Sequence, residues 1–270
     1  MWGHAVELWV NLKDRSESDL LSLRKFSTFY KDRPLSRVTG PDIERALSFC
    51  RTAGTYTRYR TTILAILNAA KERGWINELP KVPARVGKKV ARAWITKAEW
   101  AKLHAELPAH MAPMAQFAIE TGLRQANVLG LTWARVDLAR KLVWVEAEDT
   151  KGDAAIAIPL STGALDVLKA VQGIHDVFVF TFRGKPIKEV KTAFQAACAR
   201  ADVGSHVGGS YQGFTWHGFR HTWATWHVQN GTPLDVLQKL GGWSDLRMVM
   251  NYAHHSAGHL QQFADNATKE

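Results

Sequence analysis

Apolar residues recur at helical spacing through most of the chain. Trp2, Val6 and Trp9, then Leu20, Leu23 and Tyr30, predict two early helices. Ile43, Ala46, Leu47 and Cys50 share one face of a third, and Thr39-Gly40-Pro41-Asp42 ahead of them has capping-box spacing with a proline at the start. Tyr59, Ile63, Ile66, Leu67 and Ala70 mark a longer helix that Gly74 stops. The period disappears after Glu78 and returns at a second capping box, Thr96-Lys97-Ala98-Glu99. Helices through Trp100–Leu107 and Met111–Thr121 follow, and Gly122 breaks the second ahead of a short helix with Val128, Leu129 and Leu131 inward. Leu142–Val145 and Ile156–Ile158 read as strands around the turn Asp149–Asp153. Leu165–Val171 reads as a helix, Val177–Phe182 as a strand, 188–201 as a helix and 203–213 as a loose Gly/Ser loop. Three helices close the pattern, at about 218–229, 233–240 and 245–252.

The pattern implies a mainly α fold with a small β-sheet, divided into a helical unit over residues 1–80, a segment over 81–95 and a larger domain over 96–270. A chain of 270 residues can give each domain its own core. No apolar run reaches bilayer-spanning length and no signal pattern opens the sequence, so a cytoplasmic protein is expected, with no membrane partner. Cys50 and Cys198 stand in no metal-ligand spacing and fit a reducing compartment better than a disulfide framework.

Charge sharpens the picture. The net charge is +10, and residues 1–95 carry 18 Lys and Arg against 9 Asp and Glu, so almost all of the excess sits in the first third. A concentrated basic segment favours a polyanionic partner, most simply DNA. Arg58 and Arg60 fall in the long helix, and Lys81, Arg85, Lys88, Lys89 and Arg92 fall in 81–95, a stretch that follows Pro80 and contains Pro83 and Gly87. These seven are the candidate DNA contacts. The 81–95 stretch reads as an extended basic linker, and a plain tether would have the same composition.

The chemistry gathers late in the sequence. His217-Gly218-Phe219-Arg220-His221 opens a helix, Leu240-Gly241-Gly242-Trp243-Ser244 follows, and Asn251-Tyr252 comes nine residues after the tryptophan. Arginine presents a fixed charge and a planar fork suited to phosphate. Histidine moves protons near neutral pH, and a tyrosine hydroxyl becomes a nucleophile once its anion is stabilised. Arg124, held between apolar helices, needs a partner: either Glu120 or a phosphate. His217 and His221 are four apart, as in zinc helices, but Gly218 stands where a zincin needs glutamate, and His254, His255 and His259 lie past a glycine-broken loop, so no metal is expected.

These boxes resemble the C-terminal signature of the tyrosine recombinases, the phage integrase family. The resemblance extends to Glu120–Trp133 around Arg124, similar to the family's first-arginine box, and to Asp149-Thr150-Lys151-Gly152, similar to its β-hairpin lysine. It covers roughly residues 96–260. It implies a catalytic domain there and a helical core-binding domain ahead of it. The implied catalytic set is Arg124, Lys151, His217, Arg220, Trp243 and Tyr252, with His221 and Asn127 behind them. Tyr252 would attack a DNA phosphate in line, leaving a 3′-phosphotyrosyl bond. Arg124 and Arg220 would hold the non-bridging oxygens, His217 would assist proton transfer at the phenol and hold a phosphate oxygen, His221 would brace the array, and Lys151 would protonate the 5′-oxygen. The covalent bond conserves the phosphodiester energy, so the resemblance implies no ATP, metal or other cofactor. The implied partners are duplex DNA with inverted-repeat core sites, further copies forming a tetramer on DNA through the tail after Tyr252, and accessory DNA-bending or directionality factors. The setting is a nucleoid-associated prokaryotic or phage-encoded protein serving integration or excision. Two departures stand out: Asn127 replaces the family's frequent acidic residue, and Gly242 adds a glycine before Trp243. Many integrases carry a further N-terminal arm-binding domain; none precedes Trp2, which implies a simpler recombinase or a fragment of a longer one. A type IB topoisomerase shares this chemistry, and a DNA-binding relative that has lost catalysis shares the fold; the presence of every key side chain speaks against the latter.

Overall fold

A computed structural model describes residues 1–27, 30, 33–87, 94–145, 156–207 and 210–253. The chain divides into two compact units, residues 1–90 and 91–270.

The first unit is helical: α1 (Trp2–Asn11), α2 (Glu17–Ser27), α3 (Gly40–Ala46) and α4 (Ala53–Glu72). The capping box at α3 is real: Thr39 accepts from the Asp42 amide and the Asp42 carboxylate accepts from the Thr39 amide. Thr52 caps α4 by accepting from the Thr55 amide. The apolar stripe of α4 buries Tyr56, Ile63, Ile66, Leu67 and Ala70 in one cluster with Trp2, Trp9, Ile43 and Leu47. Each such large side chain withdrawn from water stabilises the unit by about 1.5–3 kcal/mol.

The segment expected to run extended from residue 81 is held down over its first residues. Val82 is buried in the helical core. Its carbonyl accepts from Arg60 Nε at 2.9 Å, and the Pro83 carbonyl accepts from the Tyr56 hydroxyl at 3.3 Å. Arg85 donates to the Cys50 carbonyl and lays its guanidinium over the Tyr56 ring, 4.1 Å from the centroid. Residues 88–93, with Lys88, Lys89 and Arg92, lie outside the described residues.

The second unit begins with α5 (Lys97–Glu106), whose Thr96–Glu99 capping box also forms. Then come α6 (Ala112–Thr121) and α7 (Gln125–Leu129), followed by β1 (Val136–Asp137), β2 (Leu142–Val145) and β3 (Ile156–Pro159). The three strands form an antiparallel sheet in the order β1-β2-β3, with Val143 opposite Ile158. Val143, Val145 and Ile158 all point to the core. Next are α8 (Thr162–Val171), the two-residue strands β4 (Thr181–Phe182) and β5 (Lys185–Pro186), α9 (Lys191–Arg200), the hairpin β6 (Ser205–Val207) and β7 (Ser210–Gln212), then α10 (Gly218–Gln229), α11 (Leu234–Gly241) and α12 (Leu246–Met250).

The core of this unit is aromatic. Phe194, Phe214, Trp216 and Phe219 meet at ring-centroid distances of 5.2–6.1 Å, mostly edge to face. A smaller cluster of Trp223, Ala224, Val228, Leu237, Val249 and Tyr252 packs α10 against the last two helices. Thr222 and Trp226 of α10 hydrogen-bond both backbone groups of Ile95, fixing where the chain enters the unit. Among the described residues no helix is long and apolar enough to cross a membrane.

Two elements differ from the expectation. The strand expected over Val177–Phe182 pairs as a strand only at Thr181–Phe182; Val177 and Val179 instead exchange backbone hydrogen bonds with Trp133 and Leu131, tying the segment to the loop after α7. The loop expected over 203–213 contains the β6–β7 hairpin, where backbone pairing forms without an apolar alternation to announce it.

Gly122 decides the α6–α7 corner. It ends α6 in the left-handed region at φ 63°, and a Cβ there would lie 2.3 Å from the Trp223 ring. Gly122→Ala therefore meets both backbone strain and overpacking and should cost about 2–4 kcal/mol. Gly74→Ala, at φ 72° in open space, should cost only about 1 kcal/mol. Thermal denaturation of the two variants checks the difference.

Candidate active site

α10 carries the centre of the site. Arg220 lies one turn into it, only 4% exposed. Its two terminal nitrogens donate to main-chain carbonyls from distant segments: Nη1 to Gly122 at 2.7 Å and Nη2 to Gly241. The guanidinium carbon sits 4.3 Å from the centroid of the Trp243 ring. A buried charge survives only where such partners replace water. Burial lowers the Arg220 pKa to about 10; the neighbouring Arg124 charge pushes the same way and the Tyr252 phenol opposes it. The guanidinium remains charged at neutral pH.

The glycines of Leu240-Gly241-Gly242-Trp243 make this arrangement possible. A Cβ on Gly241 would lie 2.1 Å from the Trp243 ring, so only glycine lets the indole fold back over the helix end. Gly242 ends α11 in the left-handed region at φ 58°. Gln238 then clasps Trp243 from both sides, its carbonyl accepting from the Trp243 amide and its side chain donating to the Trp243 carbonyl. The extra glycine is the turn that delivers the tryptophan to Arg220.

Arg124 occupies the N-cap of α7 in extended backbone conformation and is half-buried, close enough to Arg220 for the two charges to repel. Glu120, its alternative partner, is engaged elsewhere: it accepts from Gln116 Nε2 at 2.9 Å and from Ser161 Oγ at 2.6 Å. Asn127 is buried on α7, and its side-chain oxygen finds no hydrogen-bond partner among the described residues.

Tyr252 follows α12, 2% exposed. Its ring meets Trp243 at 6.0 Å, and its hydroxyl lies 2.6 Å from His221 Nδ1. His217 is exposed at the N-cap of α10, its ring edge-on to His221 at 4.7 Å. Pairwise contacts thus link His217, Arg220, His221, Trp243 and Tyr252 around the start of α10, with the Arg124 charge near Arg220. The structure places His221, expected only as a brace, on the phenol itself. The sequence reading also missed the Gly122 and Gly241 carbonyls; the one available signal was that both glycines stand in the motif boxes. Lys151 lies outside the described residues.

Three of the basic candidates in the first unit are committed within that unit. Arg58 donates to the Ser18 carbonyl and Ser22 Oγ, while Arg60 and Arg85 hold the 82–85 segment and the Cys50 carbonyl. Lys81 is exposed. Among the described residues no three His, Cys, Asp or Glu side chains cluster as metal ligands would.

A buried guanidinium beside a phenol, with imidazole at hydrogen-bond distance and a second arginine near, can bind an oxyanion and activate an oxygen nucleophile. Comparison with known proteins agrees. The model of the phage integrase family matches residues 93–259. The integrase of Salmonella phage P22 is 34% identical over 228 residues, covering 78% of this chain and 56% of that one. The chain spans 56–58% of the length of the phage integrases it matches. Among solved structures, a lambda integrase dimer bound to a COC′ core site superposes with a TM-score of 0.77 at 19% identity, over 95% of both chains. The Tn1549 transposon integrase in complex with transposon right end DNA gives 0.75 at 15% identity, over 96% of this chain and 99% of that one. The mostly helical fold with small sheets is that of the tyrosine recombinases, and the chain belongs to the phage integrase family.

Proposed function

We propose that the chain is a site-specific DNA recombinase of the integrase kind, cutting and rejoining strands through a 3′-phosphotyrosyl intermediate. The observation that carries this reading is the meeting of a phenol and a buried guanidinium across one indole: Trp243 touches both Tyr252 and Arg220. Tyr252 is the nucleophile. Arg220 and Arg124 receive the charge that grows on the non-bridging oxygens. The Gly122 and Gly241 carbonyls fix the Arg220 fork before DNA arrives, so little reorganisation remains for the transition state. His217, at the exposed start of α10, contacts a phosphate oxygen, and Lys151 protonates the departing 5′-oxygen. The reaction exchanges one phosphodiester for another and needs neither ATP nor a metal.

In this reading residues 1–80 form the core-binding domain, and the basic residues of 81–95 follow the backbone of duplex DNA at inverted-repeat core sites. Four copies assemble on DNA through the tail after Tyr252, with accessory bending or directionality factors choosing between integration and excision of a phage or other mobile element. The lambda integrase dimer on its core site and the transposon integrase on its end DNA support it by likeness of fold. The working compartment is the cytoplasm, at the nucleoid.

A suicide substrate, nicked so that the cleaved product drifts away, should trap wild-type protein covalently on DNA, and Tyr252→Phe should yield none; an undiminished adduct refutes the nucleophile. Arg220→Lys should bind DNA yet cleave about 10²–10³-fold more slowly in single turnover, since an ammonium cannot serve two carbonyls and a phosphate as a planar fork does. Replacing Lys81, Lys88, Lys89 or Arg92 with Ala should each reduce the slope of log affinity against log salt by about 0.9. Arg58→Ala and Arg60→Ala should instead lower the melting temperature, because those forks hold their own unit together.

A further inference from the structure

We propose that His221 is a catalytic residue, its Nδ1 taking the proton from Tyr252 as the phenol attacks phosphorus. This rests on Tyr252 being the nucleophile and departs from assigning that proton to His217. Two observations carry it. The hydroxyl of Tyr252 lies 2.6 Å from His221 Nδ1, shorter than the usual hydrogen bond. Tyr252 is also 2% exposed, so a titratable side chain already touching the hydroxyl is better placed than bulk water to take its proton. Helix geometry explains why the task falls here. Consecutive residues on α10 diverge by about 100°, so Arg220 turns to Gly122, Gly241 and Trp243 while His221 turns to the residue after α12.

The charged and titratable neighbours are consistent with that role. His217 packs edge-on from the same helix, and Arg220 and Arg124 are near enough to couple electrostatically with the site. On the helices packed against α10, Glu120 of α6 is engaged with Gln116 and Ser161, and Asp235 and Lys239 of α11 are exposed. Taking up the phenol proton makes the imidazole a cation, and the phosphate arriving between the arginines offsets that charge.

The step balances. The Tyr252 oxygen–phosphorus bond forms as the bond from phosphorus to the 5′-oxygen breaks. The departing oxygen keeps that electron pair and takes a proton from Lys151, and the phenol proton passes to His221 Nδ1. On the return, a 5′-hydroxyl attacks phosphorus and gives its proton to the Lys151 amine, the phosphotyrosyl bond breaks, and Tyr252 recovers its proton from His221.

The deciding variant is His221→Asn, whose amide reaches the Nδ1 position and can hydrogen-bond but cannot take up a proton. Single-turnover cleavage of a suicide substrate should fall about 10²–10⁴-fold at neutral pH, with DNA affinity and melting temperature held. The wild-type rate should level off above the imidazole titration, whereas the His221→Asn variant should keep rising with pH as the phenol ionises unaided. On a substrate with sulfur at the bridging 5′-position, whose thiolate leaves without a proton, Lys151→Ala should recover and His221→Asn should not. Tyr252→3-fluorotyrosine, whose phenol ionises more readily, tests the native imidazole directly. The acid limb of its profile should persist, and the rate lost on adding His221→Asn to it should be smaller than the loss with the natural phenol. A His221→Asn rate within about three-fold of wild type with the same pH profile, or recovery on the sulfur substrate, overturns the proposal. Adduct formation by Tyr252→Phe would instead overturn the assignment of the nucleophile, so the two failures are distinguishable.

Discussion

A guanidinium removed from water is the constraint around which the second unit is built. Arg220 gives up hydration worth several kcal/mol and regains it from two carbonyls and an aromatic face. Each partner imposes a demand of its own. The Gly122 carbonyl points inward only because α6 ends in a left-handed residue with Trp223 packed against it. The Gly241 carbonyl is available only because α11 stops one residue later. The indole reaches the charge only because Gly241 has no side chain. Three motif boxes that look like separate signatures in the sequence are the three walls of one binding site for a cation.

That cation also organises its neighbours. Trp243 is held between Trp223, Arg220 and Tyr252, so the indole that covers the charge also positions the phenol. The same small apolar cluster that closes α10 onto α11 and α12 contains Tyr252. Packing and chemistry use the same contacts, and a change that loosens the cluster also moves the hydroxyl relative to His221. Arg124 completes the electrostatics from α7: two like charges near each other are unfavourable alone and become favourable when an anion enters between them.

Much of this was legible in the sequence because it depends on local rules. The capping boxes at Thr39 and Thr96 and the stripe from Tyr59 to Ala70 mark real helices, since an N-cap and a 3.6-residue period are properties of consecutive residues. The β6–β7 hairpin was not legible, because Gly and Ser in 203–213 carry no alternation. Val177–Phe182 has the composition of a strand but its backbone partners lie in the loop after α7, which no local pattern reveals. Within the site, residue types were readable and their orientation was not. Which of two histidines faces a tyrosine 31 residues from His221 depends on how α10 is rotated by the packing of Phe219 and Trp223. Likewise, Arg58, Arg60 and Arg85 read as candidate DNA contacts, yet each finds a nearby carbonyl in its own unit.

The two anchors of Arg220 stand 98 and 21 residues away along the chain. Contacts between residues so far apart in sequence exist only once the intervening chain has closed into a loop. In an unfolded chain the same side chains are all present without the arrangement that brings them together.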